Sequence, residues 1–250
     1  MTIMGHRVPM MASLLVWFVL WELIGRLGLI TLIPPFTGVV AAGMAMLPTG
    51  KFQDAVAITL HAFGIGMACA LVVGIGIGVL MGRIRPVGDV LGMWVNIFES
   101  SPLTAIIPVL MAVLGFGQTT VIVTVFLFSV WVIALDTQVG VRQINPSLIE
   151  MARSFGAGRL QLYSKILVFA ALPEILAGVR LGLIRGVKGV VIGQLLIAII
   201  GVGELFELYS RNFLMEEFWA LIVLVFAFAF VLSEAVALIE RKVEYYASTR

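Results

Sequence analysis

Six stretches of this 250-residue chain stay apolar for about 20 residues or more, at about 9–30, 55–82, 87–114, 119–140, 174–200 and 218–240. A helix of that length, rising ~1.5 Å per residue, matches the roughly 30 Å hydrocarbon core of a bilayer. In hydrocarbon every backbone N–H and C=O needs an internal partner, so only helices or a closed barrel can cross. Barrel strands alternate in polarity and run about ten residues, and these stretches do neither. The pattern predicts an all-α membrane protein, one transmembrane domain over residues 1–250 with six spanning helices. Composition supports this: 61% of the residues are hydrophobic and 12% charged, and mean hydropathy is +1.13. A soluble domain carries about 25% charged residues. A cytosolic enzyme, a disordered tail and a secreted disulfide scaffold are excluded. His6 and Arg7 before an apolar stretch imitate a signal peptide, but the run continues too far and more spans follow. It reads as the first membrane helix.

Net charge is +2, too small to suggest nucleic acid as a partner. Where the charges sit is more informative. With the N-terminus cytoplasmic, the inner set is Arg7, Arg83, Arg85, Arg142, Arg153, Arg159, Lys165, Arg180, Arg185, Lys188, Arg241, Lys242 and Arg250. The outer set is Arg26, Lys51 and Arg211. Basic residues accumulate on the cytoplasmic side, so both termini are expected there. Arg180, Arg185 and Lys188 lie within the fifth span, whose first three turns are expected to stand in the cytoplasm with those charges snorkelling. Outside, the loop 31–54 is expected to hold a short interfacial helix around 36–47. The outer loop 201–217 is acidic, with Glu204, Glu207, Glu216 and Glu217 against Arg211.

Glycines four apart in the second span (Gly74, Gly78, Gly82) allow close helix approach in lipid. Pro102 and Pro108 are expected to kink or break the third span. The single cysteine, Cys69, precludes a disulfide framework within the chain. Two histidines, His6 and His61, supply no zinc-ligand spacing, so no metal site is expected. His61 reads as a hydrogen-bonded core residue. Nothing resembles a phosphate-cradling glycine loop.

The longest inner connection, about 141–173, has its own pattern. Asn145–Pro146 is a helix start, a capping side chain followed by proline at the first helical position. Leu148, Ala152 and Phe155 recur at helical spacing, while Glu150 and Arg153 face elsewhere. Gly156–Ala157–Gly158 ends that helix. A second, basic amphipathic helix is expected from Arg159 to about Ala171, with Pro173 then turning the chain into the membrane. A helix–glycine–helix with an apolar stripe on the cytoplasmic face suits docking onto another protein.

Glu150-Met151-Ala152, three residues, Gly156, nine residues and Ile166 resembles the EAA motif of ABC importer permeases. Pro102-Leu-Thr-Ala-Ile-Ile-Pro108, Gly115-Phe-Gly117, Gly140-Val-Arg142, Ala171-Leu-Pro173 and Ala177-Gly-Val-Arg180-Leu are similar to strings of the nitrate/sulfonate/taurine/bicarbonate-type permeases. The resemblance covers nearly the whole chain. It implies a type I ABC importer permease fold in the bacterial cytoplasmic (inner) membrane. It also implies coupling helices at about 146–170 docked on a separate ATPase. Glu150, Met151, Ala152, Gly156, Ala157, Ile166 and Pro173 would carry that coupling. The implied partners are two ATPase subunits, a second permease copy in a homodimer, and an external substrate-binding protein. This chain would bind no cofactor and catalyse nothing, ATP and Mg belonging to the ATPase. The sequence departs from the pattern in places. Met151 replaces an alanine, Val168-Phe169 stands where a first Leu-Pro is expected, Gln194 where a glutamate is frequent, and Asp136 where asparagine is common.

Intramembrane polar residues are functional candidates. Glu99, Ser101 and Thr104 around Pro102, with Asp136 and Gln194, are the candidate substrate path. Acids there, if ionised, lean towards a neutral, cationic or amphoteric substrate. An ion-gradient-driven secondary transporter is the alternative, but it predicts inverted repeats, which are not evident. A membrane enzyme using Glu99 or Asp136 lacks an accompanying nucleophile–base or metal-ligand set.

Overall fold

A computed structural model describes residues 2–3, 6–7, 10–162, 166–197 and 199–248. Lys165 and Arg250 of the inner basic set lie outside them. Two short strands, β1 (Thr2–Ile3) and β2 (His6–Arg7), pair antiparallel; among the described residues every other element is helical. In order these are α1 (Met10–Arg26), α2 (Phe36–Met46), α3 (Gly50–Arg83), α4 (Arg85–Ser100), a 3-10 turn (Leu103–Ile106), α5 (Ile107–Leu114), α6 (Gln118–Arg142), α7 (Pro146–Ser154), α8 (Arg159–Leu162), α9 (Val168–Ile197), α10 (Gly201–Arg211) and α11 (Met215–Ser248).

Three helices, α3, α6 and α11 through Lys242, are each long and apolar enough to cross a bilayer. Two bent pairs add to them. The run expected as the third span is α4 and α5 with the 3-10 turn between, bent by 90°. The kink expected from proline is therefore a right angle. Proline pushes the residue before it into extended backbone, and Ser101 takes φ −81° and ψ 146°. The second pair is Phe169–Ile197 with Gly201–Arg211, bent by 55°. Residues expected as an acidic loop thus begin as a helix, α10. Helix α1 has 17 residues, about 26 Å at ~1.5 Å each.

Helices α3, α6 and α9 form the centre. Four glycines of α3 give the reason: a Cβ on Gly66, Gly74, Gly78 or Gly82 would lie 2.5–2.9 Å from atoms of α6. With hydrogen in place of a side chain, the two backbones come into contact. Gly64 and Gly76, on the other face, meet nothing within 4 Å. The buried side chains Ala62, Phe63, Met67, Val121, Val125, Ile133, Val187 and Val190 fill the layer between the three helices.

At one end of this slab α1, α2 and the start of α11 are fastened together. Trp21 Nε1 donates to the Pro34 carbonyl (3.1 Å) and Trp219 Nε1 to that of Leu32 (2.9 Å). The Glu22 carboxylate accepts from Thr37 N (2.9 Å) and Thr37 Oγ1 (2.8 Å). Trp17, Trp21, Phe36 and Trp219 pack as a ring cluster. Aromatic residues gather at membrane–water interfaces, and α2 is the short helix expected between the first two spans. At the opposite end the α7–α8 segment closes over the start of α9.

A coupling hairpin and an intramembrane charge cluster

Helix α7 is fixed at both ends by local chemistry. Asn145 Oδ1 accepts from Ser147 N (3.0 Å), and Pro146 occupies the first helical position, where its missing N–H is no loss. At the other end Gly156 takes φ +75°. Its N–H donates to Arg153 O (2.9 Å), and Ala157 N–H donates to Ala152 O (3.0 Å). This is the paired Schellman closure of a helix end, in which glycine sits without strain.

The two faces of α7 differ. Ala152 is buried against Ile144, Leu162, Leu167, Ala171 and Ile175, with Ile149, Ala157 and Ile166 partly buried around it. Leu148, Met151 and Phe155 point away, 37%, 50% and 86% exposed, beside exposed Glu150 and Arg153. Positions i, i+3 and i+7 share a helix face. The stripe expected from Leu148, Ala152 and Phe155 is therefore divided. Ala152 lies about 40° around the helix from Leu148, enough to seat a methyl group inward while the longer chains stay out. Of the expected second helix, Arg159–Leu162 is helical as α8, residues 163–165 lie outside the described residues, and α9 runs from Val168. Pro173 does not turn the chain but lies inside α9. One turn from a helix start, proline deprives only one carbonyl, that of Phe169, of its partner.

The intramembrane candidates separate into two places. Glu99, the penultimate residue of α4, forms an ion pair with Arg185 of α9, the side chains being 21% and 39% exposed. Asp136 of α6 is half-buried. The Asp136 side chain rests against Gly178, and that of Glu174 against Gly140, so α6 and α9 meet closely here. Of these carboxylates Glu99 is the one paired with Arg185; Glu174 stands ~16 Å before it along α9. Arg185 stands 17 residues into α9, ~26 Å along its axis. There it is paired with Glu99 of α4. Arg180 likewise pairs with Glu240 of α11 at 3.2 Å. Arg185 was legible only as a charge within the fifth span, and no local signal joined it to Glu99.

Ser101 Oγ donates back to Ile97 O (2.6 Å), closing the last turn of α4, and Thr104 is exposed in the 3-10 turn. Gln194 lies apart from the cluster, completely buried where α9 bends into α10. Its Oε1 accepts from Thr59 Oγ1 (2.9 Å), which in turn accepts from Val202 N (3.1 Å). Gly201 (φ +63°) and Gly203 leave room for it: a Cβ on either would lie within 2.4 Å of Gln194. His61 has the hydrogen-bond partner expected, Gln118 Nε2 at 2.8 Å, but is exposed rather than in the core. An apolar cavity of about 200 Å³ between α3, α9, α10 and α11 is lined by Phe52, Val56, Phe63, Val190 and Phe228 among others. It lies away from the charges. Among the described residues no group of three His, Cys, Asp or Glu could hold a metal ion.

Long apolar helices joined by a glycine seam, with a capped polar hairpin at one end, are the build of a membrane transport component. Residues 70–245 match the family described as binding-protein-dependent transport system inner membrane component, and the chain belongs to that family. It is 30% identical over 183 residues to a probable ABC transporter permease of Brucella melitensis, covering 73% of this chain and 74% of that protein. With the taurine transport system permease of Escherichia coli identity is 26%, over 92% of this chain and 86% of the relative. The solved structure of the MetNI methionine ABC transporter, inward facing, shares the fold with a TM-score of 0.66 and 24% identity. The match covers 77% of this chain and 95% of that one. The chain is thus a permease of the ABC importer class rather than an ion-gradient-driven carrier.

Proposed function

We propose that the chain is a six-span permease, one domain over residues 1–250, with both termini cytoplasmic and residues 146–166 docked on an ATPase subunit. The observation that carries this reading is the exposed row Leu148, Met151 and Phe155 beside Glu150, on a hairpin whose opposite face is locked to α9. An apolar row on a charged, solvated helix suits a protein groove. In this reading Glu150 and Met151 touch the ATPase. Gly156 makes the turn, and Ala152, Ala157 and Ile166 hold the hairpin on α9, whose start includes Pro173. Motion of the ATPase then reaches the bundle through packed side chains.

The assembly we infer is a homodimer of this chain in a bacterial inner membrane, with two ATPases and an external binding protein. ATP and Mg reside on the ATPases, and the chain itself is non-catalytic. Glu99 and Asp136 face the translocation path with Ser101 and Thr104 at the break, and Gln194 braces the α9–α10 bend beside it. The acids Glu99 and Asp136 on that path favour a neutral, cationic or amphoteric substrate over a small anion. The six-span reading takes α1 as the first span, which returns the N-terminus to the basic-rich side.

A pull-down of the tagged chain from its native host tests the reading. Wild type is expected to bring down an ATPase at about one-to-one, and Phe155→Asp to lose it while still eluting as a folded membrane protein. Gly156→Pro, which blocks the left-handed turn, is expected to lose it as well. If wild type carries no ATPase, or if Phe155→Asp keeps it, the hairpin is not the coupling element.

A further inference from the structure

Helices α3 and α11 stand on either side of α9 and do not pack along one another: α3 rests on α4, α6, α9 and α10, and α11 on α2, α9 and α10. They meet where the Phe63 and Phe228 rings touch edge to face, 5.9 Å between centroids. The apolar cavity of about 200 Å³ occupies the groove between them. Its floor is Val187 and Val190 of α9 with Val202 of α10, all buried. Its rims include Phe52, Val56 and Leu60 on α3 and Leu224 and Phe228 on α11, half-buried or, at Leu60, 44% exposed. The groove is therefore closed below and open along its side.

From Phe52 to Phe63 the α3 rim runs ~16 Å, about half of the roughly 30 Å hydrocarbon core and so one leaflet deep. Val56, Leu60, Phe63, Leu224 and Phe228 all belong to the apolar runs of helices long enough to cross a bilayer. The one polar side chain of the lining is Thr59, whose hydroxyl is already bonded to Gln194 Oε1 and Val202 N. Water finds no partner on such a surface, whereas a hydrocarbon chain gains dispersion contacts along its length. Just beyond the Phe52 end the chemistry changes. Lys51 precedes Phe52, Glu204 follows Val202 by two residues, and both are exposed, 4.0 Å apart. An exposed pair held so loosely contributes little by itself, so its charges are available to others. A cation and an anion side by side match a head group that carries both a phosphate and an ammonium.

We propose that the groove between α3 and α11 binds one acyl chain of a zwitterionic phospholipid, with the head at Lys51 and Glu204 and the chain ending at Phe63 and Phe228. The site goes beyond the permease reading. It needs only that α3 and α11 lie in a bilayer, not that the hairpin docks on an ATPase. The lipid supplies the contact between α3 and α11 that the two helices do not make themselves, while α9 holds both from below. A transported solute is a poor occupant: the groove opens sideways, and its lining offers none of the convergent polar groups that orient a small ligand.

The test counts the phospholipid that stays with the purified full-length chain. After exhaustive exchange into a maltoside detergent, native mass spectrometry of the wild type is expected to show one phosphatidylethanolamine per chain. Val56→Phe with Leu224→Phe puts two rings into the groove and is expected to remove it. Val72→Phe, at a 76% exposed position of α3 beyond the groove, is expected to keep it. Lys51→Glu, which sets a second acid beside Glu204, is expected to lower the retained fraction severalfold. A second measurement needs no variant and decides the matter if the filled groove does not fold. Wild type is reconstituted with phosphatidylethanolamine carrying a diazirine near the end of its acyl chain, exchanged into detergent and only then photolysed, so that retained lipid alone reacts. Label is expected on the peptides that contain Phe63 and Phe228. No retained phospholipid in the wild type, full retention in the filled variant, equal retention in Lys51→Glu, or label confined to other helices overturns the proposal.

Discussion

Gly78 has the closest contacts in the α3–α6 seam: a Cβ there would lie 2.5 Å from Thr137 Cβ and 2.6 Å from the Ala134 carbonyl. Backbone cannot retreat as a flexible side-chain tip can, so Gly78→Leu must push the helices apart. Overpacking of this kind typically costs about 1–3 kcal/mol. The thermal unfolding midpoint in detergent is expected to fall, and Gly76→Ala, on the open face of the same helix, to leave it unchanged or raise it. An equal loss from both variants would mean that glycine at these positions serves something other than close approach. The same logic explains Gln194. Its amide fills space that Gly201 vacates and its backbone lies against Gly203, so a residue read from the sequence as a path candidate stands at a buried bend.

The α7 hairpin depends on caps more than on length. Nine residues are too few for an isolated helix to hold in water. Asn145→Ala removes the side-chain acceptor at its start and is expected to destabilise the hairpin by about 1 kcal/mol. Faster hydrogen exchange at residues 147–157, with the spans unaffected, would report it; unchanged exchange would mean that packing on α9 alone holds the turn. Both caps were legible in the sequence because Asn-Pro and Gly-Ala-Gly act locally. So were the apolar runs, since hydrocarbon thickness imposes a length on each. The right angle at Pro102 was not, because proline announces a break but neighbouring helices set its angle. Pro173 misled for a related reason: proline near a helix start is compatible with continuation, and Pro173 lies inside the helix that runs on to Ile197. The Glu99–Arg185 pair joins residues far apart in the chain, and no periodicity encodes a partner at that distance.

At the scale of the molecule, the slab of α3, α6 and α9 is the body against which other elements are arranged. Orientation is testable on the whole chain in a Cys69→Ser background. Lys51→Cys is expected to react with an impermeant maleimide from outside intact cells, and Arg153→Cys only after permeabilisation; the opposite pattern would invert the topology. The seam carries a further implication, for biogenesis. Helix α3 leaves the ribosome roughly 35 residues before α6 begins, about 2–7 s at ordinary synthesis rates. During that interval its glycine face has no partner and adjoins lipid, while the broken α4–α5 segment is still being threaded. The insertion machinery must therefore keep a helix with a smooth, unclaimed side from associating with the wrong neighbour until the right one arrives.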